Sequence, residues 1–356
     1  MLAGGGLAHT SGGVGTLIQY LRESWSGQVG APETRVIDTR GQGGRTAGGI
    51  RFAAAAAQMA GLCVAGRIDL VHAHMTTRGS VLRKCALCAV AMRLGVPVVV
   101  HMHGADFFAF YRRLGPGARK RVCRVLRGAR QVIVLGTGWR DFLVRELGLD
   151  PARIAIVVNG VPCPAPAHRP AQGPGAPVRI LFLGRIGDRK GVPELVAALA
   201  NPGLRARTWR ATIAGDGEVG RFTALAGRLG LSDRIDLPGW VDRAQTAALL
   251  AQADILVLPS HHEALPMAII EALAHRVAVV ATPVGVIPEF LTDDVDALLV
   301  PPGSPDALAD ALTRLIDDPS ARARLADNGH AVFCERLDIA VTARLTLAIY
   351  GEATSP

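Results

Sequence analysis

From Ala253 to Glu289 the chain reads ADILVLPSHHEALPMAIIEALAHRVAVVATPVGVIPE, the stretch that most narrowly limits the fold. Ile255 to Leu258 is a run of four apolar residues closed by Pro259. A run so short, with no polar residue alternating through it, predicts a strand buried on both faces of a parallel sheet. The polar loop Ser260-His261-His262-Glu263 follows, and then a predicted helix from about Leu265 to His275. Pro266 suits its first turn, where a missing N–H costs nothing. Val277 to Ala281 predicts the next strand. Open parallel sheets bind ligands at the carboxyl ends of their strands, so the loop carrying Glu263 is a predicted binding loop. Glu271 lies eight residues further on, inside the helix. The free N–H groups of the helix N-terminus lie between the two carboxylates and suit a phosphate.

Glu263-Ala-Leu-Pro-Met-Ala-Ile-Ile-Glu271 resembles the E-x7-E signature of retaining glycosyltransferases of the GT-B fold, most closely family 4. The resemblance implies an α/β protein of two Rossmann-like domains facing a central cleft. It implies that Glu263 contacts the transferred sugar and that Glu271 holds the ribose of a sugar nucleotide, with Leu265, Pro266 and Met267 between them on the donor. A second stretch agrees. The strand Val178–Leu183 runs into Gly184-Arg185-Ile-Gly-Asp-Arg189-Lys190-Gly191, similar to the family's G-R-x4-K-G donor loop. Arg185 and Lys190 would clamp the diphosphate, Arg as a two-pronged donor and Lys as a point charge. The same charges would stabilise the departing nucleotide. Gly215, after the strand Trp209–Ala214, and Trp240-Val241, after Asp236-Leu-Pro-Gly239, resemble further donor-side loops, the latter reading the base. Ala264, Leu265, the pair His275-Arg276, and Val286 depart from the family pattern, and these positions bear on the donor sugar.

The amino-terminal half carries the other expected substrate. Gly4-Gly5-Gly6 and Ser11-Gly12-Gly13-Val14-Gly15 resemble the family's first loop, with Gly13 near the donor and a helix over Thr16–Ser24; a dinucleotide-type G-x-G-x-x-G fits this spacing poorly. Only Met1-Leu2-Ala3 is left for the preceding strand, unless the natural start lies further upstream. Residues 41–49 are Gly-rich and read as a mobile loop. Ile68 to His74 reads as a strand; Ser80 reads as a helix cap, with Arg78, Arg83 and Lys84 clustered at the helix start. Cations there oppose the helix dipole; either an anionic acceptor group accounts for them or they form a solvated face. Val96–Val100 is a buried strand leading to His101-Met-His103-Gly104, where His103 matches the family histidine beside the reacting sugar. His101 and His103 could also form a metal pair, but no third ligand is evident, and the family uses no metal in catalysis. Asn159-Gly160-Val161 resembles the turn that closes the first domain. The expected domains are 1–163 and 178–335, joined by a proline-rich linker at 164–177, with a helix near 336–352 returning to the first.

Length and charge set the remaining bounds. A chain of 356 residues suggests two domains. No apolar stretch reaches the ~20 residues of a bilayer span, and Met1–Leu7 is too short for a signal peptide. Six scattered cysteines predict free thiols in a reducing compartment. Cys85 and Cys88 have the spacing of a metal knuckle but lie in an apolar helical pattern and read as core thiols. Residues 1–165 hold 21 Lys and Arg against 8 Asp and Glu; residues 166–356 hold 18 against 22. Tyr111–Arg130 has eight basic residues, no acid, and a stripe of Val122, Val125 and Leu126. It resembles an interfacial helix for anionic lipid, with a solvated Arg-rich face as the alternative. Aromatics make up only 4%, so phosphate or membrane is expected rather than nucleic acid. The resulting expectation is a transferase using a UDP- or GDP-linked sugar, with no further cofactor. Its acceptor would be a glycan or polyprenyl-diphosphate-linked sugar in bacterial surface-polysaccharide assembly, and it would work at the inner face of the cell membrane. The rival readings are a GT-B sugar-nucleotide epimerase and an inactive paralogue serving as an interaction subunit.

Overall fold

The computed structural model describes residues 2–3, 13–28, 30–39, 45–165, 173 and 175–355. The chain folds as two units, Met1–Gly160 with Ile339–Pro356, and Val161–Asp338. Each is built on a six-stranded sheet.

In the first unit the strands are β1 (Leu2–Ala3), β2 (Ile37–Asp38), β3 (Val71–Met75), β4 (Val98–Met102), β5 (Gln131–Val134) and β6 (Ile154–Ile156), in the order β2-β1-β3-β4-β5-β6. All pairings are parallel. Every residue of β3 and β4 is buried, as a strand covered on both faces requires. The helices are α1 (Gly13–Trp25), α2 (Arg45–Val64), α3 (Gly79–Arg93), α4 (Phe107–Arg113), α5 (Pro116–Gly128) and α6 (Thr137–Leu147).

The second unit has β7 (Val178–Leu183), β8 (Trp209–Ala214), β9 (Ile235–Gly239), β10 (Ile255–Leu258), β11 (Ala278–Ala281) and β12 (Leu298–Leu299), ordered β12-β11-β10-β7-β8-β9 and again all parallel. Its helices are α7 (Val192–Leu199), α8 (Pro202–Arg205), α9 (Val219–Arg228), α10 (Arg243–Gln252), α11 (Met267–Ala274), α12 (Pro305–Asp317) and α13 (Pro319–Val332). Local chemistry fixes several helix starts. Asp242 accepts from the Gln245 amide at 2.8 Å while the Gln245 side chain accepts from the Asp242 amide at 2.9 Å, closing a reciprocal cap on α10. Asp318 caps α13 by accepting from Ala321. The last helix, α14 (Ile339–Thr354), belongs to the first unit. There Ile349 and Ala353 pack with Val99, Ile133 and Val157, and Thr342 donates to the Val158 carbonyl.

Several expectations change. Residues 45–49 are not a loop but the start of α2, because the alanine run behind them carries the helix back through Gly48 and Gly49; residues 41–44 lie outside the described residues. By length and composition α2 is apolar enough to cross a membrane from Ala47 to Val64, which the interruption at Arg51 hides in the sequence. It packs on the unit through Ala55, Met59 and Cys63 and exposes Ile50 and Val64. The stripe on α5 does not face outward either. Val122, Val125 and Leu126 are all buried in the unit, so they cannot insert into lipid. The basic side chains remain outside. Arg112 pairs with Glu146, Arg127 donates to the Leu147 carbonyl at 2.7 Å, and Lys120, Arg121 and Arg124 are exposed. Cys85 and Cys88 are buried core thiols; burial pushes Cys85 up to about 12.

Candidate active site

The strand order of the second sheet reverses between β7 and β10. At such a switch point the connections leave in opposite directions and open a crevice at the carboxyl ends. The two loops predicted from sequence emerge on either side of it. After β7, Gly184 to Gly187 lead into a short 3-10 turn, Asp188–Lys190, and Gly191 caps α7, which starts at Val192. After β10, residues 259–266 lead into α11, which starts at Met267 with Pro266 as its cap rather than inside the helix. Lys190 from the first loop pairs with Glu263 from the second. The same Glu263 oxygen accepts from the Ser260 hydroxyl at 2.8 Å. The pair is mostly enclosed, with side-chain exposures of 14% and 8%. Backbone contacts hold the loops together: His261 N–H donates to the Arg189 carbonyl at 3.0 Å, and the Arg189 guanidinium donates to the His262 carbonyl at 2.9 Å.

Two glycines are required by this closeness. Gly191 has φ +70°, and a Cβ there would lie 1.9 Å from the Pro259 carbonyl oxygen. Gly285 has φ +62°, and its Cβ would lie 2.4 Å from the Glu263 carbonyl oxygen. Only a residue without a side chain adopts that backbone cheaply and leaves that space.

Glu271 is on α11 and partly buried. Desolvation pushes its carboxyl up to about 7, against a smaller opposing pull from Arg243. Arg185 is exposed beside the switch point. The loops after β7, β8 and β9 are laced by backbone bonds: Gly184 N–H to Ala214, Ile186 N–H to Asp216, and Gly215 N–H to Gly239. Trp240, just past β9, is 64% exposed, and Val241 is half-buried beside it. Leu265 and Pro266 are buried and shape the Glu263 loop, whereas Met267 is partly exposed. The second unit thus gathers a cation pair, two carboxylates, an exposed indole and close-packed glycine turns on one sheet edge. That set can hold a diphosphate, hydroxyl groups and a flat base.

The residues expected to meet the acceptor separate. Gly13 is the first residue of α1, and the glycine loop at 4–12 lies outside the described residues. Ser80 is not the cap of α3; Arg78 occupies that position with φ 51°, and Ser80 sits in the first turn. The Ser80 hydroxyl accepts from the Lys84 ammonium at 2.8 Å. Lys84 is 2% exposed, and burial, reinforced by Arg83, lowers it to about 8. Arg78 is exposed and Arg83 half-buried, so the three cations do not form one surface cluster.

His101 is fully buried, so its side chain is not available to an acceptor, and His103 is 8% exposed. Sequence reasoning found no third partner for these histidines. The structure supplies two, His72 and His74, because β3 and β4 pair in the register His72↔Val99 and His74↔His101. His74 Nδ1 and His103 Nε2 are 3.0 Å apart, and His72 Nδ1 meets the Tyr350 hydroxyl at 2.5 Å. Desolvation lowers all four imidazoles, His103 to about 3. Cross-strand register carries this grouping, and no local pattern in the sequence reveals it.

Comparison with known proteins gives a consistent result. The family model "Glycosyl transferases group 1" matches residues 166–332, and "Glycosyl transferase 4-like domain" matches residues 16–160. Alpha-D-kanosaminyltransferase of Streptomyces kanamyceticus is 28% identical over 298 residues, covering 79% of this chain and 77% of that protein. D-inositol 3-phosphate glycosyltransferase of Xylanimonas cellulosilytica is 31% identical over 315 residues, covering 81% and 73%. Among solved structures, Anabaena Alr3699/HepE in complex with UDP and glucose superposes with a TM-score of 0.74 at 18% identity, over 98% of this chain and 99% of that one. Sucrose-phosphate synthase from Thermosynechococcus elongatus gives 0.77 at 20% identity, over 99% and 98%.

Proposed function

The chain belongs to the group 1 glycosyl transferases and has the GT-B fold, and from that premise we propose that it moves a sugar, with retention of configuration, from a UDP- or GDP-linked donor to an acceptor hydroxyl. The observation that carries this reading is the Lys190–Glu263–Ser260 cluster at the β7/β10 switch point, with Arg185 beside it and Glu271 on the following helix. In the step, the bond from the sugar's anomeric carbon to the diphosphate oxygen breaks. The acceptor oxygen bonds to that carbon on the same face, and its proton passes to the departing phosphate oxygen. Arg185 and Lys190 counter the charge that grows on the leaving group, where preorganised cations are most effective. Glu263 accepts hydroxyls of the transferred sugar, and Glu271 accepts the ribose hydroxyls. No group beyond the donor and the acceptor hydroxyl is required by this chemistry.

A thermal-shift panel of UDP, GDP and ADP sugars tests the reading. A donor at about 100 times its dissociation constant should add about 2.7 kcal/mol. No shift with any of the three classes would overturn it.

The proposed acceptor is a lipid-linked glycan, such as a polyprenyl-diphosphate sugar of bacterial surface-polysaccharide assembly, met at the inner face of the cell membrane. Charge supports this. Residues 1–165 have 13 more cations than anions, and Lys120, Arg121 and Arg124 project from α5. With Val122, Val125 and Leu126 buried, attachment would be electrostatic, at about 1 kcal/mol per cation near an anionic surface. Sedimentation with anionic vesicles should show binding that falls with salt and with Lys120, Arg121 and Arg124 all changed to Gln. Equal binding to neutral vesicles, or none at low salt, would leave a soluble acceptor.

A further inference from the structure

Four imidazoles form a two-by-two array on adjacent strands of the first unit. His72 and His74 come from β3, and His101 and His103 from the end of β4 and just past it. Apart from the His72–His103 pair, their ring centroids lie 4.0 to 5.5 Å apart. The first three are at most 1% exposed. Native interiors rarely leave buried polar atoms unpaired, yet His72 Nε2, His74 Nε2 and both nitrogens of His101 have no partner. One potential ligand atom from each of His72, His74 and His101 can be chosen so that all lie within 4.8 Å of one another.

The partnered nitrogens matter as much as the unpartnered ones. His72 Nδ1 is held by the Tyr350 hydroxyl and His74 Nδ1 by His103 Nε2. If each Nδ1 carries the proton and donates it, each Nε2 keeps its lone pair. An outer partner that fixes the tautomer and turns the other nitrogen inward is the usual support of a metal-binding histidine. Three neutral imidazoles with no carboxylate or thiolate suit a borderline divalent ion rather than magnesium or calcium.

We propose that His72, His74 and His101 bind one zinc ion through the Nε2 atoms of His72 and His74 and a ring nitrogen of His101. The ion would tie β3 to β4 at their carboxyl ends. Through the His74–His103 contact it would also fix the ring of His103, making the three ligands positioning residues for it. Zinc–nitrogen bonds of about 2.0–2.1 Å require the three nitrogens roughly 3.4 Å apart, so side-chain rotations would have to close a present separation of up to 4.8 Å.

The test begins with protein stripped by a chelator and dialysed. Zinc is offered both to the folded protein and during refolding from urea, so slow entry does not decide the result. Metal retained after gel filtration is counted by atomic emission. One zinc per chain is expected, falling at least tenfold in H72F and H101F and unchanged in H262A, an exposed histidine in the other unit. Should either Phe variant fail to fold, cobalt on the wild-type chain decides. Intense visible d–d bands of a four- or five-coordinate ion are expected. A six-coordinate, water-like cobalt spectrum, no retained zinc on folded wild type, or retention unaltered in folded H101F would overturn the assignment.

Discussion

Lys190 and Glu263, 73 residues apart in sequence, meet as an ion pair across the switch point of the second sheet. On the proposed donor assignment, the diphosphate would meet a cation already engaged by a carboxylate, and binding would redistribute Lys190 between the two.

That arrangement separates two variants that look alike in sequence. Lys190→Ala should lower turnover by about 10²–10³, the loss typical of a removed electrostatic stabiliser. It should also cost about 1–3 kcal/mol of stability, because Glu263 would keep only Ser260 among these two partners. Arg185→Ala should lower turnover similarly but leave stability within about 0.5 kcal/mol, since Arg185 is exposed. Steady-state rates and urea unfolding measure both. Normal turnover in the two variants would remove the donor-loop assignment.

The carboxylates divide by pH. With Glu271 pushed up to about 7 in the free protein, ribose hydroxyls should find the acceptor-only carboxylate increasingly protonated below that value. Nucleotide affinity should thus weaken from pH 8 to pH 6, and Glu271→Gln should bind weakly with a flat profile. Stability carries the opposite sign. The folded chain holds this proton between about 4.5 and 7 and the unfolded chain does not, so stability falls as pH rises through that window, by on the order of 3 kcal/mol. Glu263→Gln should keep nucleotide affinity and lose transfer. Calorimetric titration across pH would show a shared slope in wild type and Glu271→Gln if Glu271 is not the titrating group.

Lys84 offers a stability test in the first unit. Its ammonium is buried against Ser80 and lowered to about 8 from 10.5. Below pH 8 the folded chain bears the full cost of a buried charge. Stability should rise between about pH 8 and 10.5, where the unfolded chain retains a proton that the folded chain has lost. Lys84→Met should therefore stabilise the protein by about 1–3 kcal/mol at pH 7 and abolish the alkaline rise. A lower melting temperature in Lys84→Met would show that its hydrogen bond outweighs its desolvation.

Gly285→Ala tests how tightly the Glu263 loop is held. A Cβ at 2.4 Å from the Glu263 carbonyl, on a backbone at φ +62°, must displace that loop. The variant should lose about 1–3 kcal/mol and lose kcat more than donor affinity, because Glu263 moves while Glu271 stays on α11. Unchanged kcat would mean that the loop position does not govern transfer.

What was legible in the sequence follows from range. Ile255–Leu258 and Val178–Leu183 are apolar runs bounded by breakers, so their strands were readable locally, and the E-x7-E segment does run from the loop after β10 into α11. The period of Val122, Val125 and Leu126 correctly indicated one helix face, but a 3.6-residue period does not say whether that face meets lipid or core. The start of α2 was missed because glycines signal turns until the alanine run behind them is weighed. The Lys190–Glu263 pair and the histidine array depend on strand order and register, which arise only once distant segments pair.

The lacing of the loops after β7, β8 and β9 through Gly184, Ile186 and Gly215 has an evolutionary consequence. Adding or deleting one residue in any of them would shift a backbone amide off its partner in the next, so loop length is not free to drift. Change here is then left to side chains that take no part in the lacing, the exposed Arg185 and Trp240 among them. The kinetic counterpart is that the amides of Gly184, Ile186 and Gly215 should exchange hydrogen together, as one opening event.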